Sequence, residues 1–346
     1  MRRRQVRQNN QNSGGAAMNP ALKNSFEIAV IGGGPAGITA AAQATRIGAD
    51  AALFEREKLG GLIRCANLIE NFPGFYGKDG AEVARMLEAQ AKSIGVHQIR
   101  AEVRRLSALP NGAFLLETNG GEYTADAVIV ATGTKPRKIA IPGLPEGAVR
   151  YGIDEPREFS GKEMIIIGGG DAAFDQALRI SKFAYSVKVI CRSKAKALPL
   201  LVDRCAAAGI KIHENAEITG GEIVDGRITL RTSAGEFHYD ELLAFCGREP
   251  NDELLRGVMS ELADSTEKSG GSAGAASACI ETEIPGLYFA GDIIAGRRRQ
   301  LAIAVGTGMD AALEAVEYLS ARKAAKATTV GADTGGAISN NGKVAE

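Results

Sequence analysis

Short apolar runs that stop at glycine and then give way to Ala-rich segments recur along the middle of the chain. Residues 26–31 form such a run, meet Gly32-Gly33-Gly34, and pass into 35–47, which has helical character. The pattern predicts strand, turn and helix. A second strand is expected at 51–54, a helix at about 80–93, paired strands near 99–108 and 113–118, and a buried strand at 127–131 that ends in Thr132-Gly133. The order then starts again. Residues 164–167 are apolar and run into Gly168-Gly169-Gly170, a helix follows to about residue 183, and a strand is expected at 186–191. Residues 284–292 return to a buried strand, and 302–319 read as a helix with small residues at its start.

Gly32 and Gly168 lie 136 residues apart, and two strand, glycine, helix, strand units at that separation are an internal duplication. The fold class expected is therefore α/β, with two Rossmann-like, doubly wound, three-layer domains. The first turn, Gly32-Gly33-Gly34-Pro35-Ala36-Gly37, is a G-x-G-x-x-G between a strand and a helix. Its first glycine permits the tight turn, its second lets a diphosphate approach the backbone, and its third lets helix and strand pack closely. Free N–H groups at the helix start would face the diphosphate. Glu55 closes the second strand 23 residues after Gly32, where an acid accepts hydrogen bonds from a ribose diol. The second turn, Gly168-Gly169-Gly170-Asp171-Ala172-Ala173, is a G-x-G-x-x-A, and its following strand ends in Cys191-Arg192-Ser193-Lys194. Arg192 and Lys194 suit the 2′-phosphate of NADPH, with NADH as the alternative, or else belong to a solvated loop. Two dinucleotide sites in one chain imply a nicotinamide cofactor that passes hydride to a flavin.

Composition trims this picture. The chain has 346 residues, 45% of them apolar, and 43 glycines, which exceeds the usual share of about 7% and shows no collagen period. With no Trp and 5% aromatics, base stacking on aromatic platforms is not expected, and no nucleic-acid partner is predicted. No apolar run reaches the ~18 residues of a membrane span, so no membrane partner is predicted and a cytoplasmic location is expected. The net charge is zero, but Arg2, Arg3, Arg4, Arg7 and Lys23 sit in an acid-free start, leaving the rest net negative. Residues 1–24 and 321–346 read as disordered tails, the first either a targeting peptide or a solvated extension, and 264–278 as an exposed loop. The five cysteines contain no CxxC, which argues against a structural zinc site or a secreted disulfide framework, and no metal is predicted.

The glycine turns, together with Gly60-Gly61, Glu70-Asn71-Phe72-Pro73-Gly74, Ala131-Thr132-Gly133 and Ala290-Gly291-Asp292, closely resemble the low-molecular-weight thioredoxin reductase family over about residues 26–320. The resemblance implies an FAD domain in two pieces, 25–140 and 280–320, an inserted NAD(P)H domain at 141–279, and a homodimer. It places Gly32, Gly34 and Gly37, with Gly33, Pro35 and Ala36 between them, at the FAD diphosphate and Glu55 at the adenosine ribose. Gly61, Leu62, Thr132 and Gly133 join the FAD site. Asn71 is implied near the flavin ring, Gly291 and Asp292 at the ribityl chain, and Arg299, Gln300, Leu301 and Ala302 beside the isoalloxazine. Gly168, Gly170, Asp171, Ala172, Arg192 and Lys194 would hold the nicotinamide dinucleotide.

The departures from the family carry the functional expectation. Thioredoxin reductases have a CxxC shortly before the second turn, whereas residues 149–156 here read Val-Arg-Tyr-Gly-Ile-Asp-Glu-Pro. A relay through neighbouring thiols is not available. That stretch is more similar to the thioredoxin-reductase-type ferredoxin (flavodoxin) NADP reductases, while Asn71 and Arg299-Gln300 look more like thioredoxin reductase, and Leu62 stands where the family has Gln. The expected function is thus hydride transfer from NAD(P)H to FAD, then electrons directly to an external acceptor such as a ferredoxin, flavodoxin or other small redox protein. Two alternatives stay open: a disulfide or persulfide reductase using Cys65, and a flavin-binding redox sensor without turnover. Cys65, beside Arg64, is the candidate redox thiol or else a small space-filling residue. Arg297-Arg298-Arg299 is either a docking patch or a solvated helix start. His97, His213 and His238 fall in strand-like segments and are assigned no catalytic role.

Overall fold

The computed structural model describes residues 24–255, 258 and 282–333. The first sheet contains β1 (Ser25–Ile31), β2 (Ala51–Glu55), β3 (His97–Arg100), β4 (Val103–Ala108), β5 (Phe114–Thr118) and β6 (Gly121–Val130), in the order β3-β2-β1-β6-β5-β4. Helices α1 (Pro35–Ile47) and α2 (Gly80–Ile94) cover one face. β1 is apolar on both sides because both are buried. Ile28 and Val30 face the helices, while Ala29 and Ile31 pack with Phe54, Leu106 and Phe114 on the other face.

From β6 the chain passes through β7 (Thr134–Pro136) and β8 (Val149–Arg150) into the second half. There β9 (Glu163–Ile167), β10 (Ser186–Ile190), β11 (Lys211–His213) and β15 (Glu241–Ala244) join β8 in the parallel order β11-β10-β9-β15-β8. Helices α3 (Asp171–Ile180) and α4 (Pro199–Ala207) form one layer, where Phe174, Ala177 and Ile180 meet Met164 and Ile166. An antiparallel meander of β12 (Ile218–Val224), β13 (Arg227–Thr232) and β14 (Gly235–Tyr239) forms the other, where Leu230 and Tyr239 meet Ile165. The return strand β16 (Arg248–Pro250) pairs antiparallel with β7, so the two crossings between halves are bonded to each other. β17 (Leu287–Phe289) then rejoins the first sheet, parallel to β6. The architecture is α/β with two Rossmann-like, doubly wound units.

The last helix, α5 (Leu301–Asp333), crosses α1 closely enough that a Cβ on Gly308 would lie 2.2 Å from the Ala36 carbonyl oxygen. The small residues expected at its start are what permit that approach. The helix takes in residues 321–333 of the tail predicted at 321–346, and 334–346 lie outside the described residues. Ala, Arg and Lys are strong helix formers, and Arg322 anchors the extra turns by donating to the carbonyls of Asn111 (2.6 Å) and Gly112 (2.8 Å). Two strand expectations also change. Residues 97–100 do not belong to the hairpin but pair parallel with β2, and Ala101-Glu102 separates them from β4. In 284–292 the strand is confined to Leu287–Phe289, because Gly291 takes φ +79° and opens a 3₁₀ turn. The basic start at 1–23, the predicted loop 264–278 and Cys279 lie outside the described residues. Among the described residues no helix is long and apolar enough to cross a membrane.

Candidate cofactor site

At the carboxyl end of β1 the backbone turns on Gly32, with φ +107°, where a Cβ would stand 2.4 Å from the Ala131 carbonyl oxygen. Gly37 is tighter still: its added Cβ would lie 1.8 Å from the Gly32 oxygen. Gly34, by contrast, has nothing within 4 Å. It is the N-cap of α1 and is extended, and no side chain caps the helix. The first turn thus exposes N–H groups to an open space, as a diphosphate site requires. Glu55, at the end of β2, accepts from the Gly33 N–H at 2.6 Å and the Glu57 N–H at 2.8 Å. Its carboxylate keeps further lone pairs for a ribose diol.

These groups line a cavity of about 1020 Å³, the upper end of the ~300–1,000 Å³ typical of ligand sites. It gathers most of the residues singled out in the sequence: Gly32, Gly33, Gly34, Pro35, Ala36, Glu55, Gly61, Leu62, Cys65, Thr132, Gly133, Gly291, Asp292, Arg299, Gln300 and Leu301. Gly37 is buried beneath it as a packing residue, and Ala302 is exposed in the first turn of α5. Asn71 reaches the site through Gln300, whose Oε1 accepts from its Nδ2 at 2.8 Å. An extended dinucleotide fits this set: an uncapped helix start, an acid at the second strand end, and a long cavity running to polar groups at the far end.

The far end holds a residue that sequence reasoning missed. Arg248 lines the cavity and donates Nε to Thr134 Oγ1 (2.8 Å) and Nη2 to the Thr134 carbonyl (2.6 Å). Burial, and then the neighbouring Arg299 cation, push its pKa down. Asp292 faces both arginines, yet burial pushes its carboxyl pKa up against their pull. No local pattern in Gly247-Arg248-Glu249-Pro250 announces this role, because it depends on the pairing of β16 with β7.

The second half closes the cavity with Tyr151, Gly152, Ile153, Asp154 and Arg179. Cys65 donates its thiol to the Ile153 carbonyl at 3.3 Å, and Arg179 donates to the same oxygen at 3.1 Å. Burial pushes the Cys65 thiol pKa up, and Arg179, not the adjacent Arg64, is the cation that most opposes it. Burial thus works against the activation of Cys65 by Arg64 that a redox thiol would draw on. Further bonds join the halves: Gln176 donates to the Cys65 carbonyl (2.6 Å), the Asn67 N–H to Asp175 (2.9 Å), and Arg204 to Glu70 (2.5 and 3.0 Å).

The second glycine turn lies away from this cavity. Gly168 has φ +150° and would place a Cβ 2.6 Å from the Phe245 oxygen, while Gly170 has nothing within 4 Å and leaves α3 uncapped. Asp171, in the first turn of α3 with Ala172, accepts from the Leu198 N–H at 2.8 Å. Arg192 and Lys194 are exposed just beyond β10. Cys191 is buried against the Gly168 carbonyl at 3.3 Å, its thiol pKa pushed up to about 11 by burial. The four described cysteines are all free.

Comparison with known proteins places this geometry. The profile of the pyridine nucleotide-disulphide oxidoreductases matches residues 26–336. The thioredoxin reductase of Streptomyces clavuligerus is 33% identical over 310 residues, which span 85% of this chain and 94% of that protein. The ferredoxin–NADP reductase of Ignicoccus hospitalis is 31% identical over 306 residues, 84% of this chain and 97% of that one. Among solved structures, the thioredoxin reductase of Lactococcus lactis superposes with a TM-score of 0.74 at 26% identity, covering 85% of this chain and 99% of that one.

Proposed function

The chain belongs to the pyridine nucleotide-disulphide oxidoreductase family and is an NADPH flavoprotein oxidoreductase; we propose that its electrons leave for an external small redox protein without passing through a dithiol of the chain. One observation carries the reading. The segment that closes the cofactor cavity from the second half, Tyr151-Gly152-Ile153-Asp154, contains no thiol, and Cys65, the one cysteine on the cavity wall among the described residues, has its pKa raised by burial. The relatives do not select the acceptor, since a thioredoxin reductase and a ferredoxin–NADP reductase match at nearly equal identity.

When bound, FAD would supply an acceptor for the NADPH hydride and a store that can release electrons singly or in pairs. The chain's residues bind and align. Gly34 and the α1 start receive the diphosphate, Glu55 the ribose, and Gln300, fixed by Asn71, the far end of the cavity. Gly170 and the α3 start take the NADPH diphosphate, and Arg192 with Lys194 its 2′-phosphate. Hydride transfer requires alignment rather than an acid/base triad. Arg248 and Arg299, on the cavity wall, would offer positive charge to a cofactor that gains negative charge on reduction.

The test is anaerobic stopped-flow reduction of the FAD-loaded protein by NADPH, followed by mixing with thioredoxin, ferredoxin, flavodoxin, low-molecular-weight disulfides and quinones. Rapid bleaching followed by reoxidation with ferredoxin or flavodoxin is expected. Reoxidation by disulfides alone, lost in Cys65→Ser, would replace this reading with a single-thiol reductase, and failure to bleach with NADPH or NADH would make the chain a sensor. Sedimentation of the loaded protein tests the homodimer that the resemblance implies.

A further inference from the structure

We propose that a basic hollow beside the cofactor cavity is the docking site of an acidic electron-carrier protein, whose carboxylates seat on Arg137, Arg248, Arg297 and Arg299. The proposal rests on the reading that electrons leave for an external redox protein, and gives that protein a place to bind.

The hollow has a volume of about 640 Å³ and shares Arg248 and Arg299 with the wall of the cofactor cavity. Its lining holds four guanidinium groups and no carboxylate, over an apolar floor that includes Ile293 and Ile294. Arg137 and Arg297 stand exposed at its rim. Among the described residues neither has an ion-pair partner, whereas the acids nearby are engaged: Glu249 and Glu253 both face Lys135. Inside, Arg299 donates through Nη2 to the Arg248 carbonyl at 3.2 Å, but its Nε is buried and makes no hydrogen bond. Asp292 is a carboxylate that acts on both inner arginines, from the cofactor-cavity side.

Acids and bases are equal in number over the whole chain, 41 of each, so this concentration of positive charge is local. Two exposed cations at the rim steer an oppositely charged protein from a distance, and the two inner ones fix its register by short contacts. A small anion would use the inner pair and leave the rim without a purpose. Because the hollow and the cofactor cavity share a wall, a carrier seated there has its redox centre beside the cavity. The balance is simple for a one-electron carrier: NADPH loses two electrons and one proton to become NADP⁺ and H⁺, and two carrier molecules are each reduced by one electron in successive docking events.

The test reverses the rim charges with Arg137→Glu and Arg297→Glu in the FAD-loaded protein, and uses Arg297→Gln as a milder variant. Binding of a fluorescently labelled acidic ferredoxin is read by anisotropy, without turnover, at low and physiological ionic strength. The double reversal is expected to raise Kd about tenfold or more and to flatten the salt dependence, while flavin spectrum, NADPH reduction and turnover with a neutral quinone stay within about twofold of wild type. Equal ferredoxin affinity in variant and wild type overturns the docking site. So does inorganic phosphate that binds at the hollow in a wild-type protein that fails to capture ferredoxin. A ferredoxin that binds in a charge-dependent way but is never reduced upholds the docking and sinks the direct electron exit. Reduction that ignores the charge reversal does the opposite.

Discussion

In the first glycine turn, Gly33 gives its N–H to the Glu55 carboxylate, and the start of α1 opens into a cavity closed by residues of both halves. In the second, the corresponding strand end carries Arg192 and Lys194, both exposed, and the start of α3 lies outside that cavity. The same backbone device is enclosed in one place and open in the other. Enclosure suits a cofactor that stays through many turnovers, and openness suits one that must arrive and depart each cycle. The acid and the bases at the two strand ends add selectivity to that difference in residence.

Glycine substitutions break the comparison most severely. Gly37→Ala drives a Cβ to 1.8 Å from the Gly32 oxygen, so the expected cost is about 3 kcal/mol or more, with loss of FAD. Thermal melting and flavin content check it. Gly34→Ala has open space, so the fold is expected to survive within about 0.5 kcal/mol while FAD is lost, because the new methyl occupies the diphosphate's approach. The equivalent change in the open turn, Gly170→Ala, is expected to leave FAD in place and raise the KM for NADPH about tenfold or more. Steady-state kinetics would separate the two turns, and equal FAD loss in both variants would erase the distinction.

Smaller effects sharpen it. Arg192→Glu with Lys194→Glu should lower kcat/KM for NADPH about tenfold and leave NADH within about twofold. An unchanged ratio would return these residues to the solvated loop. Cys65→Ser should change flavin reduction and acceptor turnover less than about twofold. Because the Cys65 thiol is raised above its ordinary 9.0, alkylation in the wild type should be slow near neutrality and accelerate only at alkaline pH. The smallest expected effect belongs to the tie between halves. Arg204 holds the Glu70 carboxyl below its ordinary 4.5, so the tie contributes fully above that value and is lost as pH falls through the lower folded-state value. The pair is partly exposed, so Glu70→Gln should alter the hydride-transfer rate by no more than about twofold, and salt should mimic it.

The glycine turns, their helices and the acid at Glu55 were legible because each follows from local chemistry within one strand, turn and helix. The cavity also gathers Gly61, Thr132, Gly291 and Gln300, which resemblance rather than periodicity singled out. Arg248 was not legible, since its place depends on β16 pairing with β7, a contact set by the crossing of two connections. The direction of the Cys65 shift was likewise hidden: the sequence neighbour Arg64 suggested activation, but burial under the second half dominates. The composition of residues 321–333 resembles a linker, and nothing local announces the helix, because the carbonyls that hold Arg322 come from 111, 112 and 126.

β6 offers its far edge to two partners. Residues 121–125 bond to β5, which is near in sequence, and 128–130 bond to β17, which arrives more than a hundred and fifty residues later. During synthesis, residues 128–130 have no β17 to bond until 287–289 have been made. Unpaired apolar edges in a waiting intermediate invite association between chains. The order of synthesis therefore makes the first half the last to finish, and its yield in the cell would depend on how quickly residues 287–289 emerge and close the sheet.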